Sequence, residues 1–186
     1  MTEKEKRDAG LLYNAGSDPA LLAEVRRAKD LCYKYNQLPP MDFEAQRSVL
    51  RQLLGRTGER FVIYPPFWCD YGYNIELGED FFANHGLTVL DGGRVRFGAR
   101  VLVGPGCAFH TAAHPLDAAQ RAQWLAYNKP ITVGDDVWFG AGVQVLPGVT
   151  IGDRAVIGAG SVVTEDIPAD CVAAGNHCRV LRRLGD

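Results

Sequence analysis

The chain is short of several things. It has five cysteines, at positions 32, 69, 107, 171 and 178, with no Cys-x-x-Cys pair. A disulfide framework or thiolate zinc site is not expected, and the thiols should be reduced and mostly buried. It has no basic excess: 20 basic against 22 acidic residues leave a net charge of −2. That sets aside a nucleic-acid binder, which lives on phosphate contacts. No apolar run approaches the roughly 18 residues needed to span a bilayer. The opening "MTEKEKRDAG" carries no apolar signal core, so a soluble cytoplasmic protein is expected, without a membrane partner. Histidine is scarce, with four in 186 residues, so each imidazole can be weighed singly.

The residues that are plentiful divide the chain in two. Residues 1–57 read as a helical arm. Thr2 and Glu5 have capping-box spacing. Asp18 and Pro19 open a second helix, with Leu21, Val25, Ala28, Cys32 and Tyr35 on one face and "LPP" at 38–40 as its end. A third helix runs from about Asp42 to Leu54, with Phe43, Leu50, Leu53 and Leu54 apolar and Gly55 as a stop. The arm is too thin for its own core and must pack on the rest of the chain or on a neighbouring subunit.

Residues 58–172 obey another rule. In sixes from Val133 they read VGDDVW, FGAGVQ, VLPGVT, IGDRAV, IGAGSV, VTEDIP. Every first position is apolar, every fifth is apolar or small, and glycine holds the second in four of six. The frame also fits 97–114. A period of six is neither helical nor plainly alternating. It describes a flat-sided coil in which each hexad is a short strand and a turn, with glycine relieving strain at the turn. Three hexads close a triangular coil, and stacked coils bury one apolar column. The frame stops at His114 and resumes at Val133, so the eighteen residues at about 115–132 should be an extruded loop. Long loops on rigid repeats are usually functional. Residues 173–186 form a tail.

The segments "CDYGYNIELGEDFFANHG", "TAAHPLD", "KPITVGDDVWFGAGVQVLPGVTIGDRAVIGAGSVVTEDIP" and "VAAGNHCRVLR" resemble the maltose, galactoside and nodulation-factor O-acetyltransferases. So does the arm, in "GLLYNAGSDPAL" and "RRAKDLCYKYN". The resemblance implies a mainly β fold, a left-handed parallel β-helix of hexapeptide repeats, whose hand departs from the usual crossover rule. It implies a homotrimer with active sites between subunits, and acetyl transfer from acetyl-CoA to a hydroxyl of a sugar or similar acceptor, with no metal.

Residue by residue, His114 matches the family's catalytic histidine. A hydroxyl needs a base to become a good nucleophile, and imidazole ordinarily titrates near pH 6.5. Without the resemblance, a polar turn residue before Pro115 is the plainer reading. The backbone amide of Ala141 matches the oxyanion donor. Asp70, Asn84 and Asp91 are the acceptor-binding candidates, though Asp91 could instead cap the "DGG" turn. Trp138, Ala141, Ala159, Thr164, Arg179 and Arg182 are the coenzyme A candidates. Three departures stand out. His85 comes after Asn84 where relatives often carry phenylalanine, and His177 replaces a usual proline. Glu165 replaces a lysine near the expected phosphates, at a cost of about 1 kcal/mol at a screened surface.

Two rivals share the scaffold. Gamma-class carbonic anhydrases hold zinc with three histidines, and His85, His110 and His114 supply that number. A hexapeptide scaffold could also be non-catalytic.

Overall fold

The computed structural model describes residues 1–185. The helical arm is set by its caps. α1 (Glu3–Asp8) is closed by the capping box, with Thr2 and Glu5 each accepting from the other's amide. α2 (Pro19–Asn36) starts where Asp18 accepts from the Ala20 and Leu21 amides, and it buries Leu21, Ala28, Cys32 and Tyr35. α3 (Phe43–Leu53) is capped by Asp42 and buries Gln46, Val49, Leu50 and Leu53. Its apolar stripe runs through Val49, while Phe43 is only half-buried. The stop at Gly55 is a matter of close approach: a Cβ there would stand 2.0 Å from the Tyr73 carbonyl oxygen. No helix among the described residues is long and apolar enough to cross a membrane.

The arm packs on its own coil. Tyr35 meets Phe67 edge-on, with ring centroids 6.5 Å apart. The Asn36 amide donates to the Phe67 carbonyl at 3.0 Å, and its oxygen accepts from the Phe67 amide at 2.8 Å. A side chain thus satisfies an edge that would otherwise be open to pairing.

The body is a three-faced parallel β-helix. One face stacks 61–63, 81–83, 102–103, 138–139, 156–157 and 171–174; a second stacks 67–69, 87–90, 108–110, 144–145 and 162–163; a third stacks 75–76, 95–97, 131–133 and 150–151. The register states the coil length. Trp138 pairs with Val156 and Gln144 with Val162, 18 residues on. Phe97 pairs with Val133, 36 residues on, so that coil carries an eighteen-residue insertion, as the broken frame requires. Earlier coils are 20 long, pairing Trp68 with Thr88 and Glu76 with Arg96. The two extra residues fall between Trp68 and Glu76 and again between Thr88 and Arg96. The insertion leaves from the same corner, one coil further on.

The first-position residues Val133, Phe139, Val145, Ile151, Ile157 and Val163 are all buried, as are the fifth-position residues Val137, Val143, Val149, Ala155, Ser161 and Ile167. Each large one contributes about 1.5–3 kcal/mol of burial. Phe81, Phe97, Phe109 and Phe139 form a continuous aromatic column, with successive centroids 5.0, 4.8 and 5.2 Å apart. All five cysteines are free and buried.

One expectation is corrected. The second-position glycines do not relieve strain. A Cβ on Gly140 would lie 2.6 Å from the Ala159 nitrogen of the next coil, so glycine is there because the coils touch. The left-handed residue is the fourth of the hexad, as at Gly142 (φ +69°), Asp136 (φ +59°) and Arg154 (φ +59°). The tail is also more ordered than a tail: 179–183 turns back antiparallel against 171–174 and closes the last coil.

Candidate active site

Three corners join the faces, and they differ. The corner between the second and third faces, here the loop corner, holds residues 70–74, 91–94 and the insertion. Its extra residues are knitted by Asp91. One carboxylate oxygen accepts from the Asp70 and Tyr71 amides at 2.9 and 2.8 Å, and the other from the Asn74 amide at 3.3 Å. Asp91 is fully buried, and that burial pushes its pKa up to about 6 against the pull of these amides. It faces the wall of the coil, whereas Asp70 is partly exposed and ion-paired to Lys29 of α2 at 3.3 Å.

The insertion rises above them. Its root is an antiparallel pair, Ala112 with Asn128 and Ala113 with Tyr127. A short helix, α4 (Ala118–Ala122), is capped by Asp117. His114 stands exposed at this root, with Nδ1 2.8 Å from the Leu125 carbonyl oxygen of the returning limb. A carbonyl can only accept, so Nδ1 carries the proton and Nε2 presents its lone pair outward. That is the arrangement a proton acceptor needs.

The corner between the first and second faces, the glycine corner, stacks Asn84–Gly86, Gly104–Gly106, Gly140–Gly142 and Gly158–Gly160. Here the Ala141 amide has no acceptor among the described residues. The reason lies one coil on. The Ala99 amide is received by Asp135 at 2.8 Å and the Asp135 amide by Asp153 at 2.9 Å, but beneath Ala141 stands Ala159, which has no carboxylate. Asn84, Trp138 and Ala141 line one open cleft of about 420 Å³ with Phe82 and Leu102. Trp138 and Leu102 are 55 % and 49 % exposed on neighbouring coils. Asn84 accepts from the His85 amide at 2.7 Å, so its own NH₂ remains a donor. His85 stacks on Tyr64, with centroids 5.1 Å apart.

Thr164 and Arg179 line a second cleft of about 540 Å³ near the end of the coil, together with Glu165, His177 and Cys178. Arg182 lies on the closing strand opposite Val172.

The chain therefore brings some candidates together and separates others. His114 and Asp70 share the loop corner; Asn84, Trp138, Ala141 and Ala159 share the glycine corner, across the width of the second face. Within one chain His114 and the Ala141 amide do not meet. His110 is bonded through Nε2 to Gln144 at 3.0 Å, and the described residues contain no group of three His, Cys, Asp or Glu side chains that could hold a metal ion. Sequence reasoning missed Leu125 and Lys29. Leu125 acts through its main chain, which leaves no trace in residue type. Lys29 was legible: it sits one turn before Cys32 on the packed side of α2.

Residues 6–58 match the maltose acetyltransferase hexapeptide capping motif, and residues 130–165 match the six-repeat bacterial transferase hexapeptide family. The chain is 42 % identical over 187 residues to the galactoside O-acetyltransferase of Escherichia coli, covering 100 % of this chain and 90 % of the relative. Among solved structures it is similar to a maltose O-acetyltransferase from Clostridium difficile, at 44 % identity and a TM-score of 0.97, covering 100 % of this chain and 99 % of that one. A galactoside acetyltransferase in complex with coenzyme A matches at 39 % identity and a TM-score of 0.96, covering 100 % and 92 %. A hexapeptide-repeat acetyltransferase from Vibrio cholerae, complexed with acetyl coenzyme A, matches at 38 % identity and 0.91 over the whole of both chains.

Proposed function

The chain belongs to the hexapeptide-repeat acetyltransferases related to the maltose and galactoside enzymes, and from that premise we propose that it moves the acetyl group of acetyl-CoA to a hydroxyl of a sugar or glycoside. The observation that carries this reading is the His114 imidazole, held at Nδ1 by the Leu125 carbonyl with Nε2 free. Nε2 takes the hydroxyl proton as the oxygen attacks the thioester carbonyl. The C–O bond forms and a tetrahedral oxyanion develops, stabilised by the Ala141 amide. Collapse breaks the C–S bond, and the imidazolium returns its proton to the departing sulfur of coenzyme A. Asp70 and the Asn84 NH₂ are suited to acceptor hydroxyls. Asp91 acts behind Asp70 by holding its amide.

The two halves of this chemistry lie on opposite edges of one face, so a second copy must bring its glycine corner to the first copy's loop corner. A homotrimer with three sites between subunits supplies that geometry. Coenzyme A then runs along the glycine corner, with Trp138, Ala141 and Ala159 near the thioester and Thr164, Arg179 and Arg182 toward the phosphates.

The test is a thiol-release assay with acetyl-CoA against sugars, glycosides and amines. Hydroxyl acceptors should release thiol, and His114→Ala should lose about 10²–10⁴-fold in kcat with its melting temperature unchanged. Activity confined to amines overturns the acceptor class, and an active His114→Ala overturns the base.

A further inference from the structure

The loop that carries the His114 partner is not held by its root alone. Tyr13 and Asn14, between α1 and α2, lie along the loop's returning limb. The Tyr13 amide donates to the Ala126 carbonyl at 3.0 Å, and the Ala126 amide donates back to Tyr13 at 2.9 Å. The Asn14 side-chain amide donates to the Gln123 carbonyl at 2.8 Å. The Asn128 side chain donates to the Tyr13 hydroxyl at 3.0 Å. Leu125, whose carbonyl accepts from His114, sits between the anchored Gln123 and Ala126. The strap is itself anchored: Tyr13 is buried with Leu21 and Tyr71, and its neighbour's amide donates to the Glu3 carboxylate of α1.

We propose that Tyr13–Asn14 is a positioning strap that fixes His114 in its Nδ1–H tautomer by holding the Leu125 carbonyl in place. The arm then has a role beyond covering the coil end: it sets which imidazole nitrogen faces the substrate. Freed of the strap, the returning limb is tied only at its root, by the pairs Ala113–Tyr127 and Ala112–Asn128, both of which lie beyond Leu125 on the root side. The carbonyl can then swing, and the imidazole can turn or change tautomer. The kinetic consequence rests on His114 as base; the tautomer does not.

The experiment uses the full chain labelled with ¹⁵N-histidine. With four histidines, a His114→Gln control identifies the resonance, and long-range ¹H–¹⁵N spectra report its tautomer without substrate. The wild type should show Nδ1–H. Asn14→Ala and Tyr13→Ala should show a mixture of tautomers, with kcat lowered about tenfold or more and KM for acetyl-CoA within about twofold. Tyr13→Phe keeps the main-chain pairing and the packing, and should restore the Nδ1–H tautomer and most of kcat. Asn14→Ala removes no core side chain, so it stays informative should Tyr13→Ala fail to fold. An unchanged His114 tautomer in Asn14→Ala overturns the strap, even where His114→Ala is inactive. A shifted tautomer together with an active His114→Ala upholds the strap and overturns the base instead.

Discussion

The glycine corner and the corner opposite it are built on the same backbone and differ in what fills the left-handed position. At the corner between the third and first faces that position holds Asp80, Arg100, Asp136, Arg154 and Asp170, all near φ +55° to +60°. Bidentate pairs run along it, Arg60 to Asp80, Arg100 to Asp136 and Arg154 to Asp170. At the glycine corner the same position holds Gly86 at φ +81° and Gly106, Gly142 and Gly160 near φ +70°. A Cβ on the last three would meet nothing within 4 Å, and one on Gly86 would make only ordinary contact with Gly106 at 3.6 Å. The left-handed turn therefore does not demand glycine in this coil, and neither does packing. What glycine does there is bare the main chain, with the free Ala141 amide at its centre. In a repeat fold, function shows where the repeat's ordinary fillings are left out.

The comparison breaks most sharply if the open corner is made to resemble the closed one. Ala159→Asp places a carboxylate under the Ala141 amide, as Asp153 stands under Asp135. Losing one oxyanion donor costs about 10²–10³ in kcat, and the melting temperature should hold or rise. Wild-type turnover with the amide demonstrably bonded, by its hydrogen-exchange protection, would remove Ala141 from the mechanism.

Asp91 tests the loop corner, where the filling is a buried carboxylate instead of a surface pair. Its pKa in the folded chain is raised to about 6, above the ordinary value near 3.9. The folded state then holds the extra proton between about pH 4 and 6, so stability is greatest at the acid side of that window and falls as pH rises through about 6. The loss amounts to about 3 kcal/mol at neutral pH. Urea unfolding across pH 4–7 should show this slope in the wild type and not in Asp91→Asn. Parallel profiles would refute it.

Much of this was legible because the hexad is a strict rule. The period placed all twelve first- and fifth-position residues inside, and its interruption gave the insertion its length. The loop sits a few residues earlier than the broken frame implies: Ala112 and Ala113 already pair with Asn128 and Tyr127, and Ile131–Val133 is back in the coil. The reason for glycine was misjudged because a repeat shows which position is small without showing whether φ or a neighbouring backbone makes it so. The proposed site was legible in residue type at His114 and Asn84. It was not legible where the main chain acts, at Leu125 and in the strap, since any residue supplies a carbonyl or an amide. Asp91 read as an acceptor contact or a turn cap because sequence shows a carboxylate but not which way it faces.

A smaller effect belongs to the second cleft. Glu165 lies beside Arg179 and His177, where the proposed path of coenzyme A brings phosphate charge. Glu165→Lys exchanges repulsion for attraction at a screened surface and should lower KM for acetyl-CoA about fivefold, with kcat unchanged. An unchanged KM would place the phosphates elsewhere.

The smallest effect separates strain from pairing at the closed corner. Arg154→Gly loses the pair to Asp170 but relieves the left-handed backbone, so the two changes oppose each other. Arg154→Ala loses the same pair and keeps the strain. The melting temperatures should therefore fall in the order wild type, Arg154→Gly, Arg154→Ala, over a narrow range. Arg154 holds the Asp170 carboxyl below its usual range, so the pair contributes above the ordinary carboxylate pKa and is lost as pH falls through the depressed one. The gap between wild type and Arg154→Ala should close in acid, while the gap between the glycine and alanine variants, which reflects backbone alone, should persist. Were both gaps to close together, the left-handed position would carry no strain, and glycine at the opposite corner would need no explanation beyond the space it leaves.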